Sequence, residues 1–298
     1  MFKNLNPSAL GISGHQSEII ELTLTYGFAG LDVNMVEFSA RARLKGMAYA
    51  RRLIDSARIR VGTFTLPMEW DTDDESFQKD LKKLAEYAAC AAELGCTCAT
   101  AVLAPAGDKR PYHENFEFHR HRFQDICAVL QPTGVRLAVG FLAAEYHRRN
   151  QVFQFVHDLD ALTLLLNMVG APNLGLLLDA WEITACGASL EAVRKLPVGQ
   201  IVAVQLAEMP ANILPADLDD KSRLLPAVEG ARIDLVGLLS ILQEKGYEGP
   251  VTVKPSRTAF QTRRRETVVK QTAESLDKLW RAAGLPPAVR PVLAGAHD

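Results

Sequence analysis

The chain has 298 residues, 48% apolar and 23% charged, with a formal net charge of −2. That composition supports a large core and argues against disorder, and the near-balanced charge gives no general pull towards nucleic acid or a membrane surface. The longest apolar runs, such as "LTLLLNMVGA", fall short of the roughly 20 residues a spanning helix needs, and the start "MFKNLNPSALG" lacks the basic and apolar regions of a secretion signal.

Strand-like and helical runs alternate along the chain. "SALGIS" (8–13) precedes the helical "SEIIELTLTYG". "GLDVNM" (30–35) precedes a long helical stretch reaching about Ser56. "RVGTFTLP" (60–67) leads to "ESFQKDLKKLAEYAACAAELG", the clearest amphipathic helix, which stops at Gly95. "CTCATAVL" (96–103) is followed by a helix from about Glu114 to Leu130, "GVRLAVGFL" (134–142) by one around 158–169, and "NLGLLLD" (173–179) by a shorter one around 189–195. "QIVAVQLAE" (200–208) precedes "IDLVGLLSILQEKG", and "PVTVK" (250–254) precedes a helix over about 263–283. Eight strand–helix units in a chain of this length predict a single (β/α)₈ TIM barrel over residues 1–284, with a proline-rich tail (285–298) that is surface-bound or mobile. No dinucleotide or Walker loop follows the first predicted strand. The five cysteines are expected to be buried free thiols, which points to a reducing cytoplasm.

In such barrels the site lies at the C-terminal strand ends. Those ends bring Ser13 and His15, Asp32 and Asn34, Glu69 and Trp70, Gly140, Asp179 and Glu182, Gln205 and Glu208, and Lys254 and Arg257 to one mouth. The lysine at the end of a buried-looking strand is the odd member. Acidic groups around it form a balanced charge cluster; without it they would repel one another and bind a cation.

"GLLLDAWEITACG", "VAVQLAEMP" and "SRLLPAVEGARIDLVGLLSILQEKGYEGPVTVK" resemble the Asp-x-x-His strand end, the "VHLND" strand and the "R-x-LPGEG-x-ID…GYDGPVSVE" ending of the xylose-isomerase-like sugar isomerase/epimerase barrels. "SALGIS" and "YGFAGLDVN" resemble the first two strands of that family, so the similarity runs from about residue 8 to 283. The resemblance implies a divalent metal (Mn, Mg, Zn or Co) held by Glu, Asp, His and Glu. In this chain those positions are Gly140, Asp179, Gln205 and Lys254, and the histidine that usually contacts substrate is Glu182. Only Asp179 survives. One carboxylate and one amide hold a hard ion weakly, and an ammonium repels it. No metal or other cofactor is therefore expected, with the Lys254 ammonium standing roughly where the ion stood.

Two outcomes stay open on these residues. One is an enzyme acting on a sugar-like or hydroxy-carbonyl small molecule by isomerisation, epimerisation or a related elimination, with Lys254 as electrophile and Glu182 or Asp179 as base. The other is a catalytically degenerate relative that binds a small molecule or a partner. Gln205, Glu208, His15, Trp70, Arg110, Tyr112, Trp181 and Arg257 are the candidate binding residues. The segment "PAGDKRPYHENFEFHRHR" reads as a basic, aromatic lid or subunit contact, because His119 and His121 diverge by about 200° on a helix and cannot share one ion. No nucleic-acid or membrane partner is expected; a homo-oligomer is compatible with the sequence.

Overall fold

The strands are β1 (Phe2–Leu5), β2 (Gly30–Leu31), β3 (Arg60–Val61), β4 (Phe64–Thr65), β5 (Cys98–Val102), β6 (Ala106–Gly107), β7 (Arg136–Gly140), β8 (Phe153–Gln154), β9 (Leu174–Asp179), β10 (Ile201–Leu206) and β11 (Pro250–Val253) in the computed structural model, which describes residues 1–286. All but β6 and β8 pair in parallel, in the order β3-β2-β1-β11-β10-β9-β7-β5-β4. β3 and β4 are two halves of one strand interrupted at Gly62 and Thr63; β3 pairs with β2 and β4 with β5. The first strand pairs with the last, Asn4 opposite Thr252, and this closes the ring. The result is the expected (β/α)₈ barrel. β6 and β8 form a small antiparallel pair beside the mouth.

The helices are α1 (Gln16–Thr25), α2 (Met35–Lys45), α3 (Met47–Ala57), α4 (Asp74–Glu93), α5 (Tyr112–Leu130), α6 (Leu159–Val169), α7 (Ala180–Ala185), α8 (Leu190–Lys195), α9 (Leu235–Glu244) and α10 (Arg265–Ala282). α4 shows why they form. Asp73 caps it by accepting from the Ser76 N–H at 2.9 Å, and Phe77, Leu81, Leu84, Ala88 and Ala91 recur every three or four residues on its buried face. Such faces form the main core between strands and helices, where each fully buried Leu or Phe contributes roughly 1.5–3 kcal/mol. A second, smaller cluster of Cys98, Ala138, Leu177, Val202 and Ala203 fills the barrel itself. Its small side chains leave space above them at the mouth.

Three expectations need correction. "SALGIS" is a turn region rather than the first strand, which is Phe2–Leu5. β1 hides because Lys3 and Asn4 are polar: Lys3 pairs with Asp277 on α10, and Asn4 points into the barrel. The long helical stretch is two helices, α2 and α3, broken at Gly46, whose φ of +85° suits glycine. The short α7 follows β9 directly, where only a strand end was expected. Most of the predicted tail, residues 287–298, lies outside the described residues. Among those described, no helix is long and apolar enough to cross a membrane. Cys96, Cys98 and Cys127 are buried, Cys90 and Cys186 are half-buried, and all five are free.

Candidate active site at the barrel mouth

Side chains two residues apart on a strand share a face. Leu177 belongs to the lumen cluster, as does Ala203, so Asp179 and Gln205 rise above them; Thr252 and Lys254 follow the same rule on β11. Lys254 is held in place by its own N–H, which donates to the Leu206 carbonyl at 2.8 Å. The mouth above these residues is a cavity of about 770 Å³. Gln205, Lys254, Arg257, Trp70 and Arg110 line it, together with Glu69 and His119.

Beneath Lys254 lies a sealed ion cluster. Arg223 is 5% exposed. Its guanidinium donates to Asp179 Oδ2 and, at 3.0 Å, to Glu182 Oε1, and it lies 5.0 Å from the centre of the Trp181 ring. Its Nε donates to the Lys254 carbonyl at 3.2 Å. The remaining oxygens are also engaged: Asp179 Oδ1 accepts from the Trp181 N–H at 3.1 Å, and Glu182 Oε2 accepts from the Ala143 N–H at 2.7 Å. Lys254 Nζ stands 3.9 Å from Asp179 Oδ2 and its side chain is 32% exposed. Arg223, rather than Lys254, is thus the principal counterion of both carboxylates. Burial pushes the Glu182 carboxyl up to about 7, and the charge of Asp179 adds to this; Arg223, the Ala143 N–H and Lys254 pull it back. Burial and then Arg223 lower the Lys254 pKa, against the opposing pull of Asp179 and Glu182.

A returning loop delivers Arg223. The backbones of Glu208 and Leu224 bridge at 3.0 and 2.7 Å, the Ser256 N–H donates to the Arg223 carbonyl at 2.8 Å, and Trp181 Nε1 donates to the Ser222 carbonyl at 3.3 Å. Glu208 Oε1 gathers the N–H groups of Met209, Arg232 and Ile233 at 2.8–3.2 Å and ties both ends of that loop to β10.

The placement of the expected residues is uneven. Asp179 and Glu182 do converge near Lys254, but neither lines the cavity and every oxygen of both is engaged, which does not suit a base that must reach substrate. Glu208 is a buried loop anchor, and Trp181 is a buried wall under Arg223, so neither contacts the cavity. His15 is exposed just ahead of α1, and Tyr112 packs against Phe155 outside the cavity lining. Trp70 and Arg110 line the mouth; Arg110 pairs with Asp71 and stacks 3.7 Å from the Phe118 ring centre. Arg257 reaches across to the Ser8 carbonyl at 2.7 Å. Arg223 was not expected as a site residue, although it stands inside the "R-x-LPGEG" resemblance.

The donor set does not fit a divalent ion. Gly140 offers no ligand, Asp179 is spent on Arg223, Gln205 is a neutral amide, and Lys254 contributes a cation. Among the described residues, no group of three or more His, Cys, Asp or Glu side chains is arranged to hold a metal. Gly140→Glu, Gln205→His and Lys254→Glu together should create Mn²⁺ or Zn²⁺ affinity measurable by calorimetry. The nearest atoms to a Cβ at Gly140 belong to the Leu177 side chain, at 3.3–3.5 Å, so Leu177 must give by a few tenths of an ångström at that first atom. No gain in affinity would mean that these four strand ends do not share one shell.

Comparison with known proteins agrees with this architecture. The chain is 27% identical over 154 residues to inosose isomerase from Halalkalibacterium halodurans, covering 51% of this chain and 50% of that protein. It is 27% identical over 125 residues to 3-dehydroshikimate dehydratase from Pseudomonas putida, covering 42% of this chain and 18% of that protein. The chain thus spans half or less of the length of these curated relatives. The solved structure of a xylose isomerase domain protein from Alicyclobacillus acidocaldarius superimposes with a TM-score of 0.84 at 26% identity, over 95% of this chain and 99% of that one. The family model described as xylose isomerase-like TIM barrel matches residues 20–279, and the chain belongs to that family.

Proposed function

We propose that this barrel acts on a sugar-like hydroxy-carbonyl by moving a proton next to the carbonyl, giving isomerisation, epimerisation or elimination of water, without a tightly bound divalent metal. The observation that carries this is Lys254: a partly exposed cation at the end of β11, lining the mouth, where the family resemblance implies a metal-ligating glutamate. Arg223 is the nearer partner of both carboxylates behind it, and Lys254 holds Asp179 only loosely at 3.9 Å, so the partly exposed ammonium can face a substrate oxygen. When a proton leaves the adjacent carbon, negative charge builds on that oxygen, and a nearby ammonium in a restricted mouth stabilises it. The relatives named isomerase and dehydratase support this substrate class. The sealed state of Asp179 and Glu182 favours the competing reading, a protein that binds such a molecule without turning it over.

The two separate in a panel of an inosose, 3-dehydroshikimate and simple ketoses, followed by proton NMR in D₂O. Deuterium entering beside the carbonyl, or net conversion, is expected with at least one member, unchanged by prior treatment with EDTA. Turnover that disappears with EDTA and returns with Mn²⁺ or Zn²⁺ would refute the metal-free mechanism.

A further inference from the structure

With Asp179 and Glu182 sealed, the proton transfer lacks a base that can touch substrate. A hollow of about 570 Å³ adjoins the mouth cavity and shares Asn6, Ser8, Thr65 and Leu66 with it. Asp32, directly after β2, lines this hollow. Its Oδ1 accepts from Asn4 Nδ2 at 2.7 Å and from the Thr63 N–H at 2.6 Å, and the Thr63 side chain also favours its charge. Asn6 stands near enough to favour the charge. Asn4 also donates to Thr252 Oγ1 at 2.9 Å, and Thr252 lies two residues before Lys254 on the same strand face. Leu31 pairs with Leu5 and Thr252 with Asn4, so the register sets Asp32 and Lys254 on either side of Asn6 at the ends of β2, β1 and β11, and Asn6 lines both cavities.

We infer that Asp32 is the acid/base of this barrel, working from the hollow that adjoins the mouth lined by Lys254. The inference rests on the proposed proton transfer and names its missing partner. Two strand spacings separate the backbones by about 10 Å. A hydroxy-carbonyl needs about 8–9 Å between the ammonium nitrogen and a carboxylate oxygen: a hydrogen bond of about 2.8 Å, two bonds across O=C–C, and a near-attack contact of about 3–3.5 Å. The spans match. In the step, the Asp32 carboxylate takes the proton from the carbon beside the carbonyl. The C–H pair becomes the enolate double bond, and the carbonyl π pair moves to the oxygen facing Lys254. Asp32, now an acid, gives the proton to the neighbouring, former carbonyl carbon for isomerisation while the hydroxyl proton on the original carbon passes to the enolate oxygen; for epimerisation the enolate turns its other face to Asp32 before the proton returns to the original carbon. No oxidant or reductant is consumed.

The surroundings suit the role. Burial pushes the Asp32 carboxyl up to about 6, against the donors from Asn4 and Thr63. Other titratable groups near it are the thiols of Cys96, pushed up to about 12 by burial, and Cys98, also pushed well up by burial; both remain neutral. Glu37 and Arg41 of α2 line the same hollow, and Arg41 is turned to Gln16.

Asp32→Asn tests this, because the amide oxygen keeps the acceptor for Asn4 and Thr63 and preserves the fold. On the panel member that the wild type turns over, kcat should fall about 10²–10⁴-fold with KM little changed. The wild-type kcat/KM should rise through about pH 6 as Asp32 loses its proton, and the variant should lose that rise. Wild-type kcat in Asp32→Asn overturns the inference while leaving the Lys254 reading intact, provided Lys254→Met is inactive. An Asp32 carboxyl that titrates below about 4 in ¹³C NMR, the ordinary range, also overturns it. No exchange with any panel member overturns both.

Discussion

Arg223→Met should destabilise the protein by about 3–5 kcal/mol, the range for removing one partner from a buried ion cluster. The guanidinium is the main counterion for both Asp179 and Glu182 and lies with them out of solvent. Methionine fills much of the volume but leaves two buried carboxylates within one pocket. Lys254, at 3.9 Å from Asp179 and partly in solvent, replaces little of that charge. Urea unfolding followed by circular dichroism measures the loss. The triple change Arg223→Met, Asp179→Asn and Glu182→Gln should recover a large part of it, since no charge is then buried unpaired. The loss should also depend on pH. A carboxyl whose folded pKa is raised above its unfolded value stabilises the fold below the unfolded pKa, and that contribution disappears as pH rises through the folded one. Glu182 is already pushed up to about 7 from 4.5, so the variant should suffer less near pH 4.5 than above pH 7. A change within 1 kcal/mol of wild type across that range would show that the cluster is not held by Arg223.

Lys254→Met should remove about 10²–10³ from kcat, the scale for losing one preorganised charge at a developing oxyanion. Ligand affinity measured by calorimetry should change only a few-fold, because the ground-state carbonyl carries little charge. Stability should be nearly unchanged: the lysine is a loose partner of Asp179, and methionine retains most of its stem against the barrel. A variant that keeps more than about a tenth of wild-type kcat would move the electrophile elsewhere. One that loses binding altogether would make Lys254 an anchor rather than an electrophile.

The barrel was legible because its signals are local. Apolar strands and amphipathic helices alternate with turn residues, and the period of each follows from backbone geometry. The misses have the same origin. β1 carries Lys3 and Asn4, whose partners Asp277 and Thr252 lie at the other end of the chain, so no apolar pattern marks it. α7 is a turn and a half long, too short to show a helical period.

The site divides along the same line. That Lys254, Gln205 and Gly140 depart from a metal-binding set followed from the sequence and its resemblance, because strand register carries those positions to one rim. Asp179 and Glu182 were equally visible, yet their accessibility was not. It depends on Arg223, which reaches them only when the loop after β10 returns and pairs Leu224 with Glu208. Likewise, Asp32 was one strand-end carboxylate among several until ring closure set β1 between β2 and β11 and joined it through Asn4 to the floor below Lys254. Residue identity and local period determined the barrel and the kind of charge at its mouth. Which charges meet substrate, and which are buried against one another, was decided by tertiary contacts, since desolvation and pairing depend on groups far apart in the chain.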